Sequence, residues 1–404
     1  MSTSLLYHGF GIREIDYVKT DYSDAQVTFW AESRRNRFVC ATCGSRHVSL
    51  KGQKQRRFRA LPIGKKRVEI VYSVPRLQCH ECGALRQAKV PFADPYQRHT
   101  RGFERYILDL CGCMSMQDVA NHFDVNWDTV KSIQKRYLQR HFSKPRLKDL
   151  RRIAVDEIAV AKGHTYVTVV LDLDSGAVVF VGDGKGSDAL HPFWKRLNAS
   201  RAKIEAVAMD MSPAYREAVR TNLPKAFIVF DRFHVMKLFN DRLSHFRREL
   251  YSQMKDKTER DVLKGIRWLL LKNPENLNDE KNERERLDEA LDFNQPLETA
   301  YYMKDSLRLF WECQTFVEAK RFLDQWIAEA KASDVRMLYG MAKTLERHRD
   351  GLLNYYRFPI STAPLEGTNN KIKTMKRQAY GFRDQEFFKL KIMAIHQCRY
   401  SFTG

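Results

Sequence analysis

Hydrophobic and polar positions follow three successive patterns along the 404-residue chain. Residues 25–95 contain short runs rich in β-branched and aromatic residues, such as QVTFW and RVEIVYSV, which predict strands. Residues 103–142 instead repeat apolar positions every three or four residues, as amphipathic helices do. A linker at Lys144-Pro145-Arg146 precedes the third pattern. The chain length also favours several domains over one.

The third pattern begins near Arg152 with three β-like runs, RIAVDEIAV, HTYVTVVLDL and AVVFVGDG. Turn signals at Lys162-Gly163 and Asp174-Ser175-Gly176 separate them and predict adjacent antiparallel strands. The pattern continues as a helix over 190–197, the strand IEAVAMD, a helix over 213–221 and the strand AFIVFD. Three strands followed by two crossovers match a ribonuclease-H-like α/β fold. Residues 232–357 carry only helical runs and are interpreted as a helical insertion, before a last basic helix that follows Pro364.

The charge of the chain indicates which class of partner to expect. Lysine and arginine outnumber aspartate and glutamate by 70 to 49, which gives a net charge of +21, and residues 1–150 carry +13 of it. We expect a polyanionic partner, with DNA first; a basic protein without such a partner is the alternative. The start of the chain lacks the pattern of a secretion signal, and no stretch reaches the length of a membrane span. We therefore expect a cytoplasmic, nucleoid-associated protein.

Four cysteines form two C-x-x-C pairs, Cys40 with Cys43 and Cys79 with Cys82. Two such pairs can supply four thiolates to one structural Zn²⁺, and glycine follows each pair, which allows the chain to turn back toward the sulfurs. Four unrelated thiols or a redox pair are the alternatives. The other four cysteines, at 111, 113, 313 and 398, are interpreted as packing residues. Basic residues between the pairs are candidate phosphate contacts, with a solvated loop as the alternative: Arg56, Arg57, Arg59, Lys65, Lys66 and Arg67.

The segment SMQDVANHFDVNWDTVKSIQKRYLQRH predicts a helix-turn-helix. Ser115 is a candidate N-cap, a break falls at 124–126, and Asn126 or Asp128 caps the second helix. An ordinary helical hairpin is the alternative. The second helix would present residues to a DNA groove and its backbone, namely Asp128, Thr129, Lys131, Ser132, Lys135, Arg136 and Arg140.

Three carboxylates stand out in the third pattern. Asp156 lies among apolar neighbours in mid-strand, Asp210 ends the strand IEAVAMD, and Glu366 follows Pro364 at the head of the last helix. Three such oxygen donors suit two Mg²⁺ or Mn²⁺ ions and phosphodiester chemistry. Helix caps and turn formers are the alternative reading of each residue. Glu157 should point to the opposite face from Asp156.

These pieces, in this order, resemble the ISL3 family of insertion-sequence transposases over nearly the whole chain. The matching segments are the cysteine quartet, the helix-turn-helix, VDEIAVAKGHTYVTVVLDL, VAMDMSPAY, FDRFHVMK and STAPLEGTNNKIKTMKRQAYGFRD. The resemblance implies a DDE-type active site at Asp156, Asp210 and Glu366. It also implies that Asp231 and His234, in a D-x-x-H element, position DNA near the metals; a helix cap and a packed histidine are the alternative. Further contacts with the transposon end are implied for Asn369, Asn370, Lys371, Lys373, Lys376 and Arg377.

The sequence thus predicts four parts: a zinc-binding domain over 1–100, a helix-turn-helix domain over 101–148, a catalytic domain over 149–240 and 356–404, and a helical insertion over 241–355. We expect an enzyme that binds the terminal inverted repeats of its element, cleaves the DNA ends and joins the 3′-hydroxyls to target DNA. Bringing two ends together requires a homodimer or a larger homo-oligomer. A catalytically silent transcriptional regulator and a nuclease of the same fold are the alternatives.

Overall fold

The computed structural model describes residues 5–34, 38–161 and 165–396. The chain forms two compact units, the first ending at Arg140 and the second beginning at His141. Two sequence predictions, the Lys162-Gly163 turn and the packing of Cys398, lie outside the described residues. Among the described helices, none has both the length and the apolar character needed to cross a membrane.

The first unit opens with the short helix α1, Leu5–His8, and a five-stranded sheet. The strands are β1 Ile15–Tyr22, β2 Gln26–Ser33, β3 Val48–Ile63, β4 Lys66–Cys79 and β5 Leu85–Gln87. They pair in the order β1-β2-β4-β3, with β5 on β4. The predicted strands QVTFW and RVEIVYSV lie in β2 and β4. Of the basic residues between the cysteine pairs, Arg56, Arg57 and Arg59 lie in β3, Lys65 lies in the β3–β4 turn, and Lys66 and Arg67 begin β4.

Three helices complete the first unit: α2 Arg101–Leu110, α3 Met116–Phe123 and α4 Trp127–Phe142. Ser115 caps α3, since its side chain accepts the backbone N–H of Asp118 at 3.1 Å. Asp124 then adopts a left-handed conformation with φ of 50°, which aspartate tolerates better than most residues. Asn126 accepts the N–H of Asp128 at 2.8 Å and starts α4. The predicted break at 124–126 is therefore present. The three helices pack around a shared core that includes Phe103.

The second unit contains a five-stranded sheet of the order β10-β9-β6-β7-β8. Its strands are β6 Arg152–Ala161, β7 Thr165–Asp172, β8 Val178–Asp183, β9 Ala206–Met209 and β10 Phe227–Phe230. The first three are antiparallel, whereas β9 runs parallel to β6 and β10 parallel to β9. Helices α5 His191–Ser200 and α6 Pro213–Asn222 make the two crossovers. Each strand and helix predicted for 152–230 is present.

From β10 to residue 360 the structure is helical. The helices are α7 Arg232–Gln253, α8 Lys257–Gly265, α9 Glu283–Asp292, α10 Gln295–Arg308, α11 Phe316–Ala332, α12 Arg336–Arg347 and α13 Arg349–Leu353, with short 3₁₀ turns between several of them. Their apolar faces join one core with α5 and α6. Even Lys304 is buried there, and its ammonium donates to the carbonyls of Leu270 and Lys272.

Two last helices, α14 Ala363–Gln378 and α15 Gln385–Met393, pack on the other side of the sheet. The sheet therefore has a core on each face. The large core contains α5, α6 and the helices α7 to α13. The small core contains Leu365 and Ile372 of α14 with Phe388 of α15.

Candidate functional site

Asp156 lies in β6, and Asp210 directly follows the neighbouring parallel strand β9. The register of β6 and β9 pairs Ala154 with Ala208, and Asp156 and Asp210 each follow two residues later, within electrostatic range of each other. Neighbouring strands are about 4.8 Å apart. The fold thus brings two of the three predicted carboxylates to the same edge of the sheet.

Both carboxylates point to the face of the small core. On β6 the neighbours two positions away, Ala154 and Ile158, belong to the small core, and on β9 Ala208 does. Because side chains alternate along a strand, Asp156 and Asp210 share that face. Glu157 points the other way, toward the Tyr215 hydroxyl in the large core, as the alternation predicts.

Asn369 of α14 contacts Asp156 directly. Its amide Nδ2 donates to the Oδ2 of Asp156 at 2.8 Å, and the side chain of Asn369 is only 6% exposed. The Oδ1 of the same amide is buried and has no hydrogen-bond partner. The family resemblance and its basic surroundings had grouped Asn369 with the expected DNA contacts. The structure places it instead as the link between α14 and the first carboxylate.

Burial raises the pKa of Asp156 to about 6. The negative charge of Asp210 acts in the same direction, whereas the backbone N–H of Glu157 and the nearby His234 favour the ionised form. Two carboxylates side by side, one of them largely buried, are costly unless a cation lies between them. The pair therefore has the chemistry of a site for a hard divalent cation.

Glu366 stands apart from this pair. It lies in the first turn of α14, one helical turn before Asn369, and its side chain is exposed. Glu366 lines a cavity of about 470 Å³ together with Arg232, Lys304, Arg308 and Trp311. Among the described residues, no three acidic or histidine side chains lie close enough together to share a metal ion; the four paired cysteines are the one such group. The structure thus places Asp156 and Asp210 at one edge of the sheet and leaves the Glu366 carboxylate outside this pair, on α14.

Asp231 holds two helices in place. It ends β10, and its carboxylate accepts the N–H of Phe233 at 2.9 Å as the N-cap of α7. The other oxygen accepts the N–H of Thr362 at 3.1 Å, just before α14. Asp231 is 4% exposed, so it acts as a buried cap. His234, one turn into α7, is the residue of the D-x-x-H element that lies within electrostatic range of Asp156.

The four paired cysteines of the first unit converge into one zinc site. All four Sγ atoms lie within 4.8 Å of one another, with 3.7 Å between Cys40 and Cys82 and 3.6 Å between Cys43 and Cys79. Zinc–sulfur bonds of about 2.3 Å in a tetrahedron give sulfur separations of about 3.8 Å. The backbone N–H groups of Cys43 and Thr42 lower the pKa of Cys40 to about 6, which favours the thiolate that zinc requires.

Of the other described cysteines, Cys111 and Cys313 pack against apolar cores, as predicted. Cys113 is exposed, so the packing prediction is wrong there. The physical reason is that it follows the end of α2, in a turn that leaves the apolar face of that helix.

The predicted phosphate contacts of the first sheet differ in availability. Lys65, Lys66 and Arg67 are exposed around the β3–β4 turn, although Arg67 and Arg57 share an ion pair with Glu69. Arg56 donates to the carbonyl of Gln97. Arg59 is turned inward: it donates to the carbonyl of Phe123, lies over the ring of Phe103, and burial lowers its pKa.

On α4, Asp128 and Ser132 are exposed, while Thr129, Lys131 and Lys135 are half-buried. Arg136 pairs with Glu104 at 2.7 Å and Arg140 with Asp94 at 3.2 Å. These two arginines therefore also join α4 to the rest of the first unit. On α14, Asn370, Lys371, Lys373 and Arg377 are exposed and Lys376 is half-buried.

Three family models match this sequence. One described as transposase covers residues 153–392, one described as the helix-turn-helix domain of transposase family ISL3 covers 88–138, and one described as a zinc finger of transposases IS204, IS1001, IS1096 and IS1165 covers 36–82. Together they span the two units and match the zinc site and the helical motif at the residues where the structure has them.

Whole-chain relatives carry the same description. The transposase for insertion sequence element IS1001 of Bordetella parapertussis is 34% identical over 96% of this chain and 95% of its own length. The transposase for IS1557 of Mycobacterium tuberculosis is 28% identical over 93% of this chain and 90% of its own length. Among solved structures, the Drosophila P element transposase strand transfer complex matches 75% of this chain and 94% of its own, with a TM-score of 0.39 and 10% identity.

Proposed function

Since this chain belongs to the ISL3 family of transposases, we propose that it binds the terminal inverted repeats of an insertion sequence and cleaves the DNA at each end. It then transfers the freed 3′-hydroxyls to target DNA by two-metal-ion catalysis. The active site is Asp156, Asp210 and Glu366. The observation that supports this proposal is that Asp156 in β6 and Asp210 directly after the parallel strand β9 lie within electrostatic range of each other, two positions beyond the paired Ala154 and Ala208.

We assign the second unit to a ribonuclease-H-like fold interrupted by a helical insertion. The sheet has three antiparallel strands, β6, β7 and β8, and two parallel strands, β9 and β10, on one side of β6; this order supports the assignment. The catalytic domain comprises 149–240 and 356–404, and the helices of 241–355 are the insertion. Asp231 supports the same division, since it ties the strand before the insertion to the helix after it.

Asp156, Asp210 and Glu366 are hard oxygen donors that suit Mg²⁺ or Mn²⁺. Bound there, two such ions would activate the attacking water or 3′-hydroxyl and stabilise the leaving oxygen. Other side chains of the protein orient these carboxylates and favour their ionised forms. Asn369 orients the Asp156 carboxylate, His234 favours its ionised form, and a rotation of the exposed Glu366 side chain toward β6 supplies the third carboxylate.

The zinc and helix-turn-helix domains of the first unit would bind the DNA end. Four sulfurs leave no open position for water, so the zinc is structural. Exposed residues of α4, Asp128 and Ser132, would read bases, and exposed cations around the β3–β4 turn would contact phosphates. The basic residues after Glu366 on α14 would hold DNA at the active site. Two ends require at least two active sites, and hence a homo-oligomer.

The test combines labelled element ends, a target plasmid and Mg²⁺ with the zinc-loaded protein. We expect cleaved ends and joined products. Binding alone would identify a silent regulator, and cleavage without joining would identify a nuclease.

Two substitutions locate the site. Asp156→Ala and Glu366→Ala should each abolish cleavage and joining while binding to the ends persists. Glu157→Gln is the matched control, because it alters the adjacent carboxylate on the opposite face of β6 and should keep activity. Cleavage by Asp156→Ala at the wild-type rate would refute the assignment.

A further inference from the structure

A second cavity in the second unit gathers three arginines. It measures about 370 Å³ and lies beside the edge strand β10, with walls from α6, the end of α12 and α13. Arg216 and Arg220 come from successive turns of α6, and Arg347 comes from the last turn of α12. Residues four apart on a helix share one face, so the two α6 guanidinium groups point into the same space.

These positive charges lack acidic partners. Within the described part of the chain, none of the three arginines forms an ion pair, and Asp350 is the one acid that lines the cavity. Like charges on successive helical turns repel each other, which destabilises α6 in the absence of a counter-ion. Three arginines against one aspartate leave the cavity with an excess positive charge, and an anion is the ligand that offsets it.

His348 adds a neutral donor. It lines the cavity and is 7% exposed, and its Nδ1 lies 3.5 Å from the guanidinium of Arg216. Burial, reinforced by the charges of Arg216, Arg347 and Arg220, lowers the pKa of His348 to about 4. The neutral ring accepts at Nδ1 and carries its proton on Nε2, so it adds no further positive charge.

The walls of the cavity are fixed. Asn354 donates its amide to the carbonyl of Ile228 at 2.9 Å, which ties the segment after α13 to β10. Gly351 packs so closely on Phe230 that a Cβ at that position would lie 2.3 Å from the ring. Phe230 belongs to the large core, so this cavity opens on the sheet face opposite Asp156 and Asp210.

We propose that Arg216, Arg220, Arg347 and His348 form a phosphate-binding site that holds the backbone of DNA away from the cleavage site. Guanidinium forks match phosphate oxygens, and a histidine N–H adds a neutral donor. The contact is independent of sequence, because phosphates are the same at every step. The identity of the anion as DNA rests on the proposed function, whereas the anion site itself rests on the geometry.

The test measures binding of the full-length, zinc-loaded protein to a short fluorescent duplex of random sequence over a range of salt concentrations. Arg216→Gln and Arg347→Gln should each weaken binding about tenfold. Each should also reduce the slope of log affinity against log salt by about 0.9, as expected for one lost phosphate contact. Arg336→Gln is the matched control, since it removes the same charge from the other end of α12, and it should change neither quantity.

Two further measurements, the melting temperature without DNA and the effect of inorganic phosphate, decide the outcome together with the salt slopes. The variants should melt at the wild-type temperature or above without DNA, because they relieve repulsion; this separates lost contacts from lost folding. Equal salt slopes for the variants and Arg336→Gln would overturn the proposal. A second result would also overturn it: inorganic phosphate raises the melting temperature of the wild type but not of the variants, while the salt slope of DNA binding is the same for all of them. The site would then bind a free anion and not DNA. The duplex carries no element end, so the result stands even if cleavage of ends fails.

Discussion

Asp156 illustrates how a single half-buried carboxylate links stability to function. Its pKa in the folded chain is raised to about 6 from an ordinary 3.8. The folded state therefore holds this proton more tightly than the unfolded state does. The resulting stability is fully present below about pH 4 and is lost as the pH rises through about 6. At neutral pH the ionised carboxylate works against folding until a cation joins it.

Asp156→Asn should therefore stabilise the protein in the absence of added Mg²⁺. The free energy of unfolding in urea should rise by about 1–3 kcal/mol at pH 8, because the neutral amide avoids burying a charge. The gain should vanish at pH 4, where the wild-type carboxyl is protonated. Glu157→Gln serves as the control. A gain of equal size at both pH values would contradict the burial argument.

Asn369 is the residue whose interpretation changes most between sequence and structure. As the donor to Asp156, it is expected to position that carboxylate rather than to bind DNA. Asn369→Ala should slow end cleavage about 10- to 100-fold, and a higher Mg²⁺ concentration should be needed for half-maximal rate. Affinity for the DNA end should stay unchanged. Asn370→Ala, which alters the exposed neighbour, should leave the Mg²⁺ requirement as it is.

The contrary result would be that Asn369→Ala weakens binding of the DNA end and leaves the Mg²⁺ requirement unaltered. That result would contradict a positioning role and would identify Asn369 as a DNA contact.

At the scale of elements, the zinc site holds two turns at the same end of the β3–β4 pair. Val48 pairs with Cys79, so the cysteine turns lie where this long antiparallel pair opens. Gly44 and Gly83 follow the turns with φ of 78° and 69°, which permit the reversals. The metal therefore secures β3 and β4 at the end opposite their connecting turn.

Cys79→Ser should loosen this end of the sheet. We expect faster amide hydrogen exchange in β3 and β4 and weaker binding to DNA ends, because the variant loses one of four zinc ligands. Exchange in β6–β10 should stay at the wild-type rate, since the second unit has its own cores. Cys113→Ser, an exposed cysteine outside the quartet, is the control. Uniformly faster exchange in both units would contradict a local role for the metal.

At the scale of the whole molecule, periodicity predicted the strands and helices of the second unit well. Strong alternation and clear turn residues, such as Asp174-Ser175-Gly176, mark β6 to β10. The cysteine spacing likewise predicted the zinc site. These features are local, so the sequence near each residue carries the information.

Contacts between distant segments were the part that the sequence did not reveal. Asn369 lies 213 residues from Asp156, and Arg216 lies 132 residues from His348. Nothing in the local pattern distinguishes Asn369 from the exposed Asn370, or Arg59 from the exposed Arg57. Which member of such a pair turns inward depends on packing against a remote element. The position of Glu366 was not predictable from the local sequence either: its helix was predicted, but its carboxylate lies outside the pair formed by Asp156 and Asp210.

The small core has a consequence for how the chain is made. One face of the β6–β10 sheet is covered by α14 and α15, which a ribosome synthesises more than a hundred residues after β10. Throughout that interval the nascent sheet presents Val169, Val181 and Val229 without their cover. An interrupted chain would still carry the zinc-binding and helix-turn-helix domains, to which the proposed function assigns binding of the element ends. Fragments of this kind would occupy the ends of the element without cutting them, and so would restrain the complete protein.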